Sequence, residues 1–78
     1  MNHSANEKKV LALLAKEWDY GGPPGILDIS QIVAALPMAP SETLDALKRL
    51  FEAGLVDMNR FKSSAFLTPE GYDAATGR

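Results

Sequence analysis

Leu47 to Val56, LKRLFEAGLV, and Ala65 to Ala75, AFLTPEGYDAA, decide how this chain folds. The first stretch is the end of an amphipathic helix that stops at Gly54, a residue that tolerates the left-handed conformation ending many helices. It passes at once into the apolar pair Leu55-Val56. The second stretch is a short strand that runs directly into a new helix start. Thr68 is placed as an N-cap there, and Pro69 suits the first helical position, where its missing N–H costs nothing. Between them, Leu55 to Asn59 and Ala65 to Thr68 read as two antiparallel strands, with Arg60 to Ser64, RFKSS, as the loop. Apolar alternation leaves the register open: Val56 and Met58 can meet Ala65 and Leu67, or Phe66.

Upstream of this hairpin the apolar spacing predicts three helices. The last runs from Pro40 to about Ala53, with Thr43, Ala46, Leu47 and Leu50 facing inward and Leu44 and Phe51 at the margin. Pro37-Met38-Ala39-Pro40 is a tight turn before it. The middle helix is short. Asp28 and Gln31 fit a capping box, Ile29, Ile32, Val33 and Leu36 form its apolar face, and Pro37 ends it. The first helix opens on a second box, Ser4 with Glu7, and carries the stripe Val10, Leu14, Trp18 flanked by Leu11 and Leu13. Gly21 and Gly22 stop it. GGPPG, Gly21 to Gly25, reads as a connector. It is not a phosphate loop, because no Lys-Ser/Thr follows and its prolines offer no N–H to a phosphate. Ile26-Leu27 is placed as a small edge strand. Trp18, Tyr20, Phe51, Tyr72 and the leucines are expected to make the core and its rim.

Three helices, a short strand, a hairpin and a terminal helical turn resemble a winged helix-turn-helix. The likeness covers roughly Lys8 to Ala75 and is greatest to the DNA-binding core of MarR- and ArsR-type bacterial regulators. It is carried by Leu47, Leu50, Gly54, Leu55 and Val56 at the helix-to-wing junction, and by Leu67, Thr68, Pro69, Glu70 and Gly71 at the exit from the wing. The expected fold class is therefore α+β: a small winged helix with three helices, a two-stranded β-hairpin wing and a short C-terminal helical turn. Residues 1–78 form one domain, with 1–5 expected to fray. MarR-type regulators dimerise through long terminal helices. This chain stops at Arg78, soon after Pro69, so a stable dimer of that kind is not expected.

Composition narrows the function. The chain has 78 residues, 46% of them hydrophobic and 23% charged, which is the balance of a small globular domain. It has no cysteine and a single histidine, His3, so neither a disulfide nor a soft-ligand metal site can be assembled. No apolar run approaches a membrane span, and the N-terminus lacks a signal-peptide core. A cytoplasmic protein is expected. No nucleophile–base pair stands at a telling spacing, and no enzyme or cofactor is expected. The net charge of -2 and pI of about 5.2 are unlike those of most nucleic-acid binders, so affinity for DNA has to come from local clustering.

The resemblance implies that the third helix enters the major groove and that the wing touches backbone or minor groove. The residues this assigns to DNA are Ser41, Glu42, Asp45, Lys48 and Arg49 on the helix and Arg60 and Lys62 on the wing. Lys48 and Arg49 suit phosphates or guanine. Glu42 and Asp45 have the wrong sign: a carboxylate ~6 Å from a phosphate in water costs roughly 0.7 kcal/mol. Acidic residues in a first helical turn also favour the helix dipole and need no ligand. Phe61 either contacts a sugar or a protein, or folds back onto the hairpin. Lys8, Lys9 and Lys16 read as a solvated face. The expected function is a DNA-binding transcriptional regulator with double-stranded DNA as partner. The alternative is a winged-helix protein-interaction module that uses Leu44, Phe51 and Phe61.

Overall fold

Ser4 and Glu7 close the expected box at the start of α1 (Ala5–Gly21). The Ser4 hydroxyl accepts the Glu7 N–H at 3.1 Å, and the Glu7 carboxylate accepts the Ser4 N–H at 2.9 Å. These bonds belong to a computed structural model that describes residues 3–77 of the chain. Of the fraying expected over 1–5, residues 1 and 2 lie outside the described residues. After α1 come β1 (Leu27–Asp28), α2 (Ile29–Ala35), α3 (Pro40–Glu52), β2 (Val56–Met58), β3 (Ser64–Leu67) and α4 (Pro69–Thr76).

The three antiparallel strands lie in the order β1-β3-β2, so the second hairpin strand is central and the short strand before α2 pairs on its far side. The register pairs Val56 with Leu67, Asp57 with Phe66 and Met58 with Ala65. This resolves the ambiguity of the alternation. Val56, Ala65 and Leu67 are all buried on one face, while Phe66 sits opposite the exposed Asp57 on the other. β1 falls one residue later than Ile26-Leu27: Ile26 is exposed, and Leu27 pairs with Ala65.

One apolar cluster joins every layer. Val10, Leu11 and Leu14 from α1, Ile32 from α2, Ala46, Leu47 and Leu50 from α3, and the buried strand residues are all nearly inaccessible to water. Thr43 is buried with them, and its hydroxyl donates to the Ala39 carbonyl at 3.3 Å. That bond satisfies a polar group that would otherwise be costly to bury. GGPPG is more than a connector. The Pro24 carbonyl accepts the Leu67 N–H at 3.0 Å, and Gly25 is buried. The segment therefore closes the end of the sheet.

Trp18 and Tyr72 stack with ring centroids 4.6 Å apart, and the Tyr72 hydroxyl donates to Asp19 at 2.7 Å. This pair locks α4 onto α1. Tyr20 does not share in it; at 85% exposure it leaves the expected aromatic rim altogether, because it follows the last buried turn of α1.

The LTPEG run has a specific mechanical role. The Thr68 hydroxyl accepts the Gly71 N–H at 3.0 Å as the N-cap of α4 and donates to the Gly54 carbonyl at 2.7 Å. The Thr68 N–H donates to the Leu55 carbonyl at 3.2 Å. Gly71 then packs directly on that carbonyl: a Cβ there would lie 1.8 Å from the Leu55 oxygen. The end of α3 and the start of α4 are thus pinned together at the root of the hairpin.

Candidate nucleic-acid interface

Helix α3 is buried along Thr43, Ala46, Leu47 and Leu50 and open along the opposite side. At 100° per residue, the middle of the open side runs through Ser41, Asp45, Lys48 and Glu52. Glu52 escaped the sequence reading, although its position two turns beyond Asp45 marks it for this line. Leu44 and Phe51 form one shoulder, 49% and 40% exposed. Glu42 and Arg49 form the other.

The two shoulders face different neighbours. On the Glu42 side, a polar depression lies between α3 and the start of α1, lined by Ser4, Asn6, Glu42, Asp45 and Arg49. Glu42 already has a structural task there: its carboxylate accepts the Ala39 N–H at 3.1 Å and caps α3. Asp45 pairs with Arg49 at 3.2 Å, with both side chains more than half exposed. A surface pair of this kind is worth about 0.3–0.5 kcal/mol, so Arg49 can leave it for a phosphate at small cost.

On the Phe51 side, Leu44, Leu47, Phe51 and Met58 floor a groove of about 280 Å³ between α3 and the hairpin. Lys48 and Lys62 both border it. The Lys62 ammonium stands 6.0 Å from the centroid of the Phe51 ring, so the wing reaches back to α3. Contacts of this type attract at up to about 6 Å and are worth roughly 0.5–1 kcal/mol at exposed sites.

The wing tip is held by Asn59. Its side-chain oxygen accepts the Ser63 and Ser64 N–H groups at 2.7 and 3.0 Å, and its amide donates to the Ser63 hydroxyl at 2.8 Å. The Lys62 N–H closes the turn on the Asn59 carbonyl at 2.9 Å, with Lys62 itself at φ 55. Between these anchors Phe61 is 81% exposed and does not fold back onto the hairpin. The Arg60 guanidinium lies 5.8 Å from the Phe61 ring centroid. Beside the tip the wing is tied to the junction of β1 and α2: the Ser63 carbonyl accepts the Ile29 N–H at 2.9 Å, and the Ser64 hydroxyl donates to Asp28 at 3.2 Å.

All seven residues assigned from the sequence are exposed, but they do not form one patch. Lys48 and Lys62 converge on the groove. Arg60 stays at the tip with Phe61. Glu42 and Arg49 lie on the far shoulder, and Ser41 and Asp45 sit on the middle line of the open side. Among the described residues, no three potential metal ligands gather, and no helix is long and apolar enough to cross a membrane.

No family model matches the chain, and no curated protein is similar to it at a significant level. Among solved structures, the crystal structure of NadR in complex with 4-hydroxyphenylacetate superposes with a TM-score of 0.81 over 97% of this chain, at 24% identity. The chain shares its winged-helix fold with NadR. NadR's chain is longer, and the present chain spans 52% of it. In winged-helix terms α2 and α3 are the helix-turn-helix, and β2 and β3 with their loop are the wing. β1 makes the sheet three-stranded.

Proposed function

We propose that this winged helix binds double-stranded DNA and acts in transcription control, with α3 as the reading helix and the hairpin as a backbone- and minor-groove-contacting wing. The observation that carries the reading is the convergence of Lys48 from α3 and Lys62 from the wing on one exposed groove. Two elements distant in sequence present cations side by side on the surface that the resemblance turns toward DNA. Arg60 adds a cation at the wing tip, and Arg49 adds one on the opposite shoulder of α3, where Asp45 pairs with it. Glu42 supports the reading by its engagement at the Ala39 N–H, which accounts for an acid in the first turn without a ligand. The compartment that goes with this role is the cytoplasm.

The test is the salt dependence of binding to a mixed-sequence duplex, followed by fluorescence anisotropy. If Lys48, Arg49, Arg60 and Lys62 each neutralise one phosphate, log K falls with log salt at a slope of about -3.6. Affinity then drops roughly 150-fold between about 50 and 200 mM salt. A flat response, or no binding to any duplex at low salt, refutes the proposal and leaves the exposed Leu44, Phe51 and Phe61 to a protein contact.

A further inference from the structure

Phe61 is a large apolar side chain held out in water by a turn built to hold it there. Its 81% exposure is not the result of a loose loop. Three hydrogen bonds from the Asn59 side chain, and the closure of Lys62 on the Asn59 carbonyl, fix the turn around it. Its neighbours are cationic on both sides. The Arg60 guanidinium rests near its ring, while Lys62 turns the other way, toward Phe51. The tip therefore presents one exposed aromatic ring on a hydrogen-bonded turn, with one guanidinium beside it, and the second cation lies toward α3.

From this geometry we propose that Phe61 is a wedge that enters the DNA minor groove and rests on, or partly parts, one base step, with Arg60 on the adjoining groove floor or backbone. The inference rests on the DNA reading above and adds to it a specificity-determining residue. Apolar side chains in the minor groove act by unstacking a base step, and pyrimidine–purine steps such as TA yield most easily. A guanidinium alone behaves differently. It favours the narrow, strongly negative groove of stiff A-tracts. The two modes can therefore be separated by sequences of equal A·T content.

The experiment compares three duplexes at low salt: alternating T-A, uniform dA·dT, and uniform dG·dC, which has no pyrimidine–purine step. Binding is followed by anisotropy, and bending by energy transfer between the duplex ends. Wild type should favour alternating T-A over uniform dA·dT by about threefold or more and should bend it. Phe61→Ala should abolish that preference and the bend while keeping its affinity for the dG·dC duplex within about twofold. Circular dichroism should show an unchanged fold, as expected for so exposed a side chain. Phe61→Leu, which keeps an apolar wedge, should retain part of the preference. The proposal is overturned if wild type binds uniform dA·dT at least as well as alternating T-A, or if Phe61→Ala leaves the preference intact. In these cases binding to duplex DNA still stands. Failure of wild type to bind any of the three duplexes removes the DNA reading itself.

Discussion

Substituting Gly71 by alanine should damage this domain far more than its surroundings suggest. Gly71 lies near a helix start, where alanine normally improves stability. Here the added methyl would sit 1.8 Å from the Leu55 carbonyl oxygen, 2.8 Å from its carbon and 3.0 Å from a Leu67 methyl. Ordinary contact near 3.5 Å requires roughly 1.7 Å of movement between the start of α4 and the root of the wing. The oxygen is backbone, so no rotamer change relieves it. Two bonds cross the same junction, Thr68 N–H to Leu55 and Thr68 hydroxyl to Gly54. Losing them costs about 1 kcal/mol each, and overpacking adds about 1–3 kcal/mol. A total of about 3–5 kcal/mol is a large part of the roughly 4–12 kcal/mol that a domain of this size holds. Urea denaturation should report that loss, and the thermal midpoint should fall by at least about 12 °C. Gly54→Ala is the control. Gly54 has φ 78, but nothing lies within 4 Å of the added methyl. Its cost is the left-handed conformation alone, about 1–2 kcal/mol. If Gly71→Ala costs less than about 0.5 kcal/mol, or less than Gly54→Ala, the packing at this junction is not as described.

The double variant Glu42→Gln, Asp45→Asn should bind duplex DNA about tenfold more tightly at low salt, since each carboxylate removed relieves roughly 0.7 kcal/mol of repulsion. Gln retains an oxygen for the Ala39 N–H, so the helix content should not change; an affinity equal to wild type would place these residues away from the phosphates. Thr68→Val keeps the shape of the side chain but removes both its cap on Gly71 and its bond to Gly54. Urea titration should show a loss of about 1–2 kcal/mol, and a neutral result would deny the cap its role in joining wing and α4.

The helices were legible because their signals are local. Ser4 with Glu7, Pro40 at a first turn and Thr68-Pro69 at another announce helix starts by chemistry confined to a few residues. Thr43, Ala46, Leu47 and Leu50 announce a buried face by spacing alone. The register of the hairpin was not legible, because Phe66 is as apolar as its neighbours Ala65 and Leu67; only the pairing of Phe66 with Asp57 shows which face turns outward. Tyr20 misled for a similar reason. Its ring looks like core material, but burial depends on what α4 covers, and α4 covers Trp18. At the candidate interface the residue types were readable and their grouping was not. Nothing in the spacing of Phe51 and Lys62 foretells that they meet, or that Glu42 and Arg49 turn to the opposite shoulder. Those facts depend on how the wing leans on α3, which is a property of the packed whole. The role of Gly71 was hidden too, because a glycine near a helix start carries no sign of the carbonyl beneath it.

The sheet has a consequence for behaviour at high concentration. Its outer strands are very short: β1 has 2 residues and β2 has 3. A longer open edge would offer a row of unmatched donors and acceptors to any passing extended chain. Here even one of the few donors is taken internally, since the Met58 N–H bonds to the Asp57 carboxylate at 2.8 Å. That carboxylate also places a negative charge at the edge, a further deterrent to strand addition. The longest strand, β3, is enclosed between the other two. Amyloid-like growth and strand exchange therefore find little purchase on the folded domain, and any association between copies has to proceed through helix surfaces and side chains.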